Sequence, residues 1–343
     1  MRDSMVCAVV VTYNRKNLLL ECLEAIRRQT RPVDAIYIID NASTDGTPEV
    51  LKENGYILEL PPFNLSEPYE IEHKISNLVD GNPINVFYVR MHENTGSAGG
   101  FYEGMKRAYE KGYDWFWLMD DDVEPKPNAL EVMLTYKNIS LFIHPRKIYG
   151  DGTLFYWEYL FPYAFPFVKN LNDISFCKYG KKWISVNYGC FEGALINRLI
   201  VEKIGFPDKK YFIIYDDTFY GFKASLYTNV IYIQDILFIK KIKREYKNKT
   251  LMFIIKYTDE NSRITSYYMI RNFFLLYKDI NTLIPGYFLC SLFWINTLKI
   301  FTRKVIKHLL TGKLYLLSAS IKGFIDGVKY LLNDSKTESK SKG

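Results

Sequence analysis

The sequence has little of what builds redox and structural metal centres. Its 343 residues contain five cysteines, Cys7, Cys22, Cys177, Cys190 and Cys290, an odd number without a Cys-x-x-Cys pair. Neither a disulfide framework nor a zinc site is suggested, and a reducing cytoplasm fits. His73, His92 and His144 have no ligand-spaced partners and read as structural. Long apolar runs are missing too: Leu283 to Ile295 is too short to span a bilayer and is interrupted by Pro285-Gly286. The N-terminus lacks a charged n-region, a long apolar stretch and a small-residue cleavage site, so no export signal is read. Groove-reading and base-stacking signatures are also lacking, which argues against nucleic acid as a partner.

What is present belongs to a large globular chain of two or three parts. Net charge is +7, unevenly distributed. From Lys241 onward 19 Lys and Arg face 7 Asp and Glu, an excess of twelve that leaves residues 1–240 at −5. The two parts meet different partners.

The organising stretch is Trp115 to Val123. Its first half is an apolar, aromatic strand, and its second places Asp120, Asp121 and Asp122 at the strand end with no basic residue beside them. Adjacent carboxylates repel, and a divalent cation held by Asp120 and Asp122 relieves this, their hard oxygens suiting Mg²⁺ or Mn²⁺. A solvated acidic turn leading into the helix after Pro127-Asn128 is the simpler alternative.

Upstream, Met5 to Thr12 reads as a strand buried on both faces. Asn14 caps a helix to about Gln29, with Leu18, Cys22, Ala25 and Ile26 on one face. Ala35 to Ile39 forms a second strand ending in Asp40, and a turn-rich stretch leads to a helix over Pro48 to Glu53. Open α/β sheets bind ligands outside the carboxyl ends of their strands, where Thr12-Tyr13-Asn14, Asp40 and the acidic triplet converge. Asp40 there suits either an Asx turn or a contact to the imide N–H of uracil. Residues 54–83 read as an irregular excursion, followed by a strand from Ile84 to Arg90. Asn94, Gly96, Gly99 and Gly100 then open a helix to about Lys111. They allow close approach of a diphosphate or form a tight strand-to-helix turn, and they match neither dinucleotide nor P-loop spacing.

Together, Val10 to Arg15, Ile39 to Thr47, Asn94 to Phe101 and Trp117 to Asp122 resemble inverting family 2 glycosyltransferases of GT-A fold, especially the galactofuranosyltransferase-like and rhamnosyltransferase-like branches. The resemblance implies a nucleotide-sugar donor, with Thr12, Tyr13, Asn14, Asp40, Asn94, Gly96, Gly99, Gly100 and Asp121 on the donor side and Asp120 and Asp122 as the metal-binding Asp-x-Asp. Glu192 to Pro207 and Phe212 to Lys223 resemble the acceptor half of that family, where the second carboxylate of the pair, here Asp217, is the base. From the residues alone, Asp216 and Asp217 equally suit a cap on a helix beginning near Thr218.

Two departures stand out. Phe219 replaces an acidic residue common in the pattern, and Lys223 an arginine. After the strand expected over Asn229 to Gln234, relatives often supply a metal-binding His, whereas Lys240 lies near that position. A protonated lysine does not ligate but can pair with phosphate. Ala129 to Tyr136 is expected as a helix and Leu141 to His144 as a strand. The aromatic run Phe155 to Phe167 suits a core or a sugar-stacking loop.

Beyond Lys241 the chain reads as helical and basic. Tyr267 to Asn272 resembles a stretch following the catalytic domain in lipid-linked-glycan transferases. Leu298, Phe301, Val305 and Leu309 fall opposite Lys299, Arg303 and Lys307, as in a core helix or one lying on an anionic membrane surface.

The expected architecture is an α/β, Rossmann-like GT-A domain over 1–240 with a mostly parallel central sheet, divided into a nucleotide-sugar half (1–137) and an acceptor half (138–240). A helical, membrane-associating extension (241–333) and a disordered tail (334–343) follow. The resemblance implies an inverting transferase at the cytoplasmic face of the cell membrane, moving galactofuranose from a UDP carrier to a lipid-linked glycan. Rhamnose from a dTDP carrier is the alternative sugar, and a silent sugar-nucleotide-binding subunit the alternative class.

Overall fold

The computed structural model describes residues 4–155, 159–160, 169–170, 182–242, 263–287 and 290–332. Two compact units divide the chain. The first comprises residues 1–158, 170–212 and 216–243, and the second 159–169, 213–215 and 244–343. The ends of the aromatic run beyond Phe155 and the tail from 334 lie largely or wholly outside the described residues.

The first unit is a mixed α/β layer around a ten-stranded sheet. In chain order it contains β1 (Val6–Thr12), α1 (Lys16–Arg27), β2 (Ala35–Asp40), α2 (Thr47–Glu53), β3 (Tyr69–Ser76), β4 (Pro83–Arg90), α3 (Gly96–Glu110), β5 (Trp115–Asp120), β6 (Val123–Pro125), α4 (Ala129–Leu134) and β7 (Phe142–Tyr149). β8 (Tyr159–Leu160) and β9 (Lys169–Asn170) form a separate two-stranded pair whose residues up to 169 belong to the second unit. Then come β10 (Trp183–Ser185), β11 (Ala194–Asn197), α5 (Arg198–Ile204), α6 (Asp216–Ser225) and β12 (Ile231–Lys240).

Strand order is β10-β12-β7-β11-β5-β1-β2-β4-β3, with β6 also paired to β12. The centre is parallel: β5, β1, β2 and β4 run together, as do β7 and β12. Every residue of β1 and β2 is buried, which is why these strands read as unbroken apolar runs rather than as alternation. Parallel pairing sets Thr12 opposite Asp40, Val11 opposite Asp120, and Asp40 opposite Arg90, so their polar ends collect at one edge. Trp117 is fully buried and meets Phe238 edge-on at 5.6 Å. Truncating such a ring to Ala would cost roughly 3–5 kcal/mol.

Three expectations change. Residues 54–83 are not wholly irregular, because β3 pairs antiparallel to β4 at the sheet edge. The helix after β1 begins at Lys16 without a side-chain cap, and Leu19 rather than Leu18 joins Cys22, Ala25 and Ile26 in the buried face. Asn14 instead has φ 54° and accepts from Thr44 N at 2.6 Å. The last strand runs to Lys240, pairing β10 near its start and β6 at its end across two register shifts.

The second unit is helical: α7 (Arg263–Leu283), α8 (Cys290–Leu310) and α9 (Leu314–Leu332). The two glycines of α9 let it approach α7 closely, since a Cβ on Gly323 would stand 2.5 Å from the Tyr267 carbonyl oxygen and one on Gly327 2.4 Å from the Phe274 ring. Phe324 bridges the helices, stacking on Phe301 at 4.4 Å and meeting Phe274 edge-on at 5.4 Å. Asn272, fully buried, donates to the carbonyls of Ile213 and Ile214. Among the described residues, no helix is long and apolar enough to cross a membrane.

Candidate active site

At the carboxyl edge of the sheet the three aspartates after Met119 separate in role. Asp121 is buried and its two oxygens are both engaged: Thr12 Oγ1 donates to Oδ2 at 2.7 Å and Arg15 to Oδ1 at 3.0 Å. Burial pushes its pKa up more than Arg15 draws it down. Asp122 is also buried, with Lys240 Nζ 2.5 Å from Oδ1 and Arg15 3.4 Å from Oδ2. Asp120 keeps 31% of its side chain open, and its nearer oxygen is 3.6 Å from Lys240. Burial, opposed by Lys240 and reinforced by Glu192 and the neighbouring aspartates, pushes its pKa up to about 7.

Lys240 reaches this cluster because β12 pairs with β6 in a register that sets it opposite Val123, the residue after Asp122. Its ammonium also donates to Glu192 Oε1 at 2.7 Å. Burial disfavours its charge, but Glu192, Asp122 and Asp120 outweigh that and hold it protonated. Lys240, Glu192 and Arg15 therefore join the three aspartates. No local sequence signal marks Arg15 and Glu192 for this role, since they find their partners 106 and 48 residues away.

The Mn²⁺ or Mg²⁺ expected at Asp120 and Asp122 needs two carboxylates open to one ion. The structure gives Asp122 to Lys240 and Arg15, and among the described residues no group of three or more His, Cys, Asp or Glu side chains could hold a metal. The pair as arranged does not fit a chelated cation.

The other donor-side residues are gathered at the same edge. Asp40 is fully buried, accepting from the N–H of Ser43, three residues on, and from Tyr88 and Arg90 at 2.8 and 2.6 Å. Its oxygens face the protein, and the group nearer the surface is Arg90, which also donates to the Ser43 carbonyl. Tyr13 is exposed, and Asn14 braces the turn after β2 through Ser43 and Thr44.

The glycine loop is tight packing. Asn94 Oδ1 accepts from Gly96 N, and Gly96 has φ 71°. A Cβ there would lie 2.0 Å from the Phe212 carbonyl oxygen, on Gly99 2.3 Å from Thr95 Oγ1, and on Gly100 2.6 Å from the Val11 side chain. The space left by the missing side chains is filled by protein, so the close approach these glycines permit is of chain to chain.

Asp216 and Asp217 open α6. Ser97, at the start of α3, donates to Asp216 Oδ2 at 3.2 Å. Asp217 Oδ1 accepts from the N–H of the adjacent Thr218 at 2.6 Å, one residue on rather than the two or three of a helix cap. Burial, with Asp216 adding repulsion, raises the Asp217 pKa well above the usual carboxylate range, and burial pushes Asp216 up to about 6. Phe219 is core, stacked on Tyr211 at 5.7 Å. His144 is buried against the Tyr188 carbonyl, with its pKa driven down to about 3 by burial and Lys147, as befits a structural histidine.

A sequence model described as Glycosyl transferase family 2 matches residues 7–57 and 66–205, more than half of the chain. Galactofuranosyltransferase GlfT1 of Mycolicibacterium smegmatis is 36% identical over 121 residues, covering 35% of this chain and 31% of that protein. The Mycobacterium tuberculosis protein of the same name is 33% identical over 117 residues, covering 34% and 30%. The chain thus aligns to about a third of the length of these relatives. Among solved structures, Staphylococcus aureus TarS 1-349 matches with TM-score 0.48 and 12% identity over 95% of this chain and 91% of that one. A Pyrobaculum calidifontis mannosyltransferase, solved with GDP-Man and Mn²⁺, matches with TM-score 0.49 and 15% identity over 96% and 88%. The family match and the parallel-cored α/β sheet with its collected strand ends agree: this chain belongs to glycosyl transferase family 2 and has a GT-A fold.

Proposed function

We propose that the chain transfers galactofuranose from a UDP carrier to a hydroxyl of a lipid-linked glycan, with inversion at the anomeric carbon, and that Asp217 is the base. The observation that carries the mechanism is Asp217 itself: a carboxylate at a helix start with one oxygen on Thr218 and a pKa raised by burial and Asp216. A carboxylate with a raised pKa is a stronger proton acceptor once ionised.

In the step proposed, Asp217 takes the proton of the acceptor hydroxyl as its oxygen attacks the anomeric carbon. The bond from that carbon to the nucleoside diphosphate breaks, and the diphosphate leaves with the electron pair. Attack opposite the leaving group inverts the centre. The base side of the donor is assigned to Thr12, Tyr13, Asn14 and the turn held by Asp40, with Arg90 joining Asp40 to the Ser43 carbonyl. Asn94, Gly96, Gly99 and Gly100 act by fixing the start of α3 beside Asp216. A divalent cation at Asp120 and Asp122 would supply charge to the departing diphosphate. Asp122 is instead committed to Lys240.

The choice of galactofuranose is supported by the partial likeness to galactofuranosyltransferases, and rhamnose from a dTDP carrier is the competing donor. A membrane-surface site of action is supported by α8, where Ile295, Leu298, Ile306, Leu309 and Leu310 are exposed beside exposed Lys299, Arg303 and Lys307. Phe301 and Val305, expected on that surface, are instead half-buried. The test is a donor screen against a lipid-linked acceptor extract, read by mass. Transfer from UDP-galactofuranose supports the reading, and transfer from dTDP-rhamnose alone replaces the donor.

A further inference from the structure

We infer that Lys240 takes the place of a divalent metal at the acidic strand end, so that the donor's diphosphate is bound without one. The inference rests on the proposed nucleotide-sugar donor.

Its basis is the occupancy of individual oxygens. Lys240 Nζ lies 2.5 Å from Asp122 Oδ1, 2.7 Å from Glu192 Oε1 and 3.6 Å from Asp120 Oδ2. The second oxygen of Asp122 faces Arg15, and both oxygens of Asp121 are held by Thr12 and Arg15. A metal bound through Asp122 Oδ1 would need that oxygen at about 2.0–2.2 Å, with an ammonium already in hydrogen-bond contact with it. Two cations on one oxygen repel, and the lysine is the one fixed by the fold, since strand pairing sets it opposite both Val123 and Tyr149. Evicting it would leave a buried ammonium without partners, which is strongly unfavourable.

An ammonium has three N–H donors. Asp122 and Glu192 take two, and Asp120 lies beyond hydrogen-bond distance. The third remains for a diphosphate oxygen on the side of Asp120, the most open of the three aspartates. A preorganised positive charge there stabilises the leaving group as its negative charge develops.

The test is UDP binding by calorimetry to the full chain, in EDTA and in Mn²⁺. The inference predicts dissociation constants within about threefold of each other in the two buffers. Lys240→Ala should weaken UDP in EDTA by roughly tenfold or more, the scale of one charge-assisted contact. Mn²⁺ should recover that loss, because the carboxylates are then free to ligate. Lys240→His, which offers a neutral ligand nitrogen, should likewise bind UDP well only with Mn²⁺. UDP binding to the intact chain that requires Mn²⁺ overturns the inference while leaving the donor assignment standing, and this comparison decides even where a variant fails to fold. Unchanged binding by folded Lys240→Ala in EDTA also overturns it. Failure of UDP to bind in either buffer overturns the donor assignment and the inference together.

Discussion

Thr12 Oγ1 and Asp121 Oδ2, 2.7 Å apart and both buried, tie the end of β1 to the end of β5 across 109 residues of sequence. Thr12→Val keeps the shape and removes the donor, leaving that carboxylate oxygen buried without its partner. The expected loss is about 1–3 kcal/mol of stability. Urea denaturation checks it, and a variant as stable as the parent would mean that the bond contributes nothing net.

Asp217→Asn keeps size and hydrogen-bonding capacity but cannot accept a proton. Transfer should fall by on the order of a hundredfold or more while UDP affinity is retained. Asp216→Asn should lose less, and if it alone abolishes transfer the base is the preceding residue. In the parent, because the Asp217 pKa is raised and the base works ionised, kcat/KM should climb with pH above the range of an ordinary carboxylate. A profile already flat from pH 5 would exclude Asp217 as that base.

Asp216 gives a stability test of defined sign. Its folded pKa, about 6, exceeds the unfolded value near 3.8. The folded state therefore holds its proton more tightly, and the contribution of this group is full below about pH 4 and is lost as pH rises through 6. Asp216→Asn should flatten that part of the thermal stability profile, measured by calorimetry from pH 4 to 7. An unchanged slope would place the titration elsewhere.

Gly96→Ala combines a positive φ with a Cβ only 2.0 Å from the Phe212 carbonyl, whereas Gly112, at φ 85°, has nothing within 4 Å. Gly112→Ala bears only the backbone strain, about 1 kcal/mol. Gly96→Ala should cost clearly more, and equal melting temperatures would show that the loop yields.

The exposed apolar residues of α8 supply a membrane test. Leu309→Asp with Leu310→Asp should reduce co-sedimentation with anionic vesicles, and parent binding should fall as salt screens the surface. Binding that is indifferent to both changes would contradict a surface role for this helix.

How far these features could be read from sequence depended on the range of their causes. β1, β2 and β5 were legible because burial on both faces leaves unbroken apolar runs, and β4 because most of its positions are apolar and buried. β3 was not, since an edge strand with mostly exposed and half-buried positions, set between Pro68 and Pro83, resembles a loop. The carboxyl-edge aspartates could be placed by topology, but their partners could not. Arg15 and Arg90 read as solvated charges until the fold brings Asp121 and Asp40 to them. The glycines show that something approaches closely, and only the fold shows that it is Phe212, Thr95 and Val11.

The central claim is inverting transfer from a UDP-linked galactofuranose, and the configuration of the product tests it most directly. The full chain would be incubated with UDP-galactofuranose and a lipid-linked acceptor, and the new linkage read by NMR beside the Asp217→Asn variant. The account predicts a galactofuranosyl product whose anomeric configuration is opposite to the donor's, with little or none from the variant. A product of retained configuration, or equal product from Asp217→Asn, would contradict it.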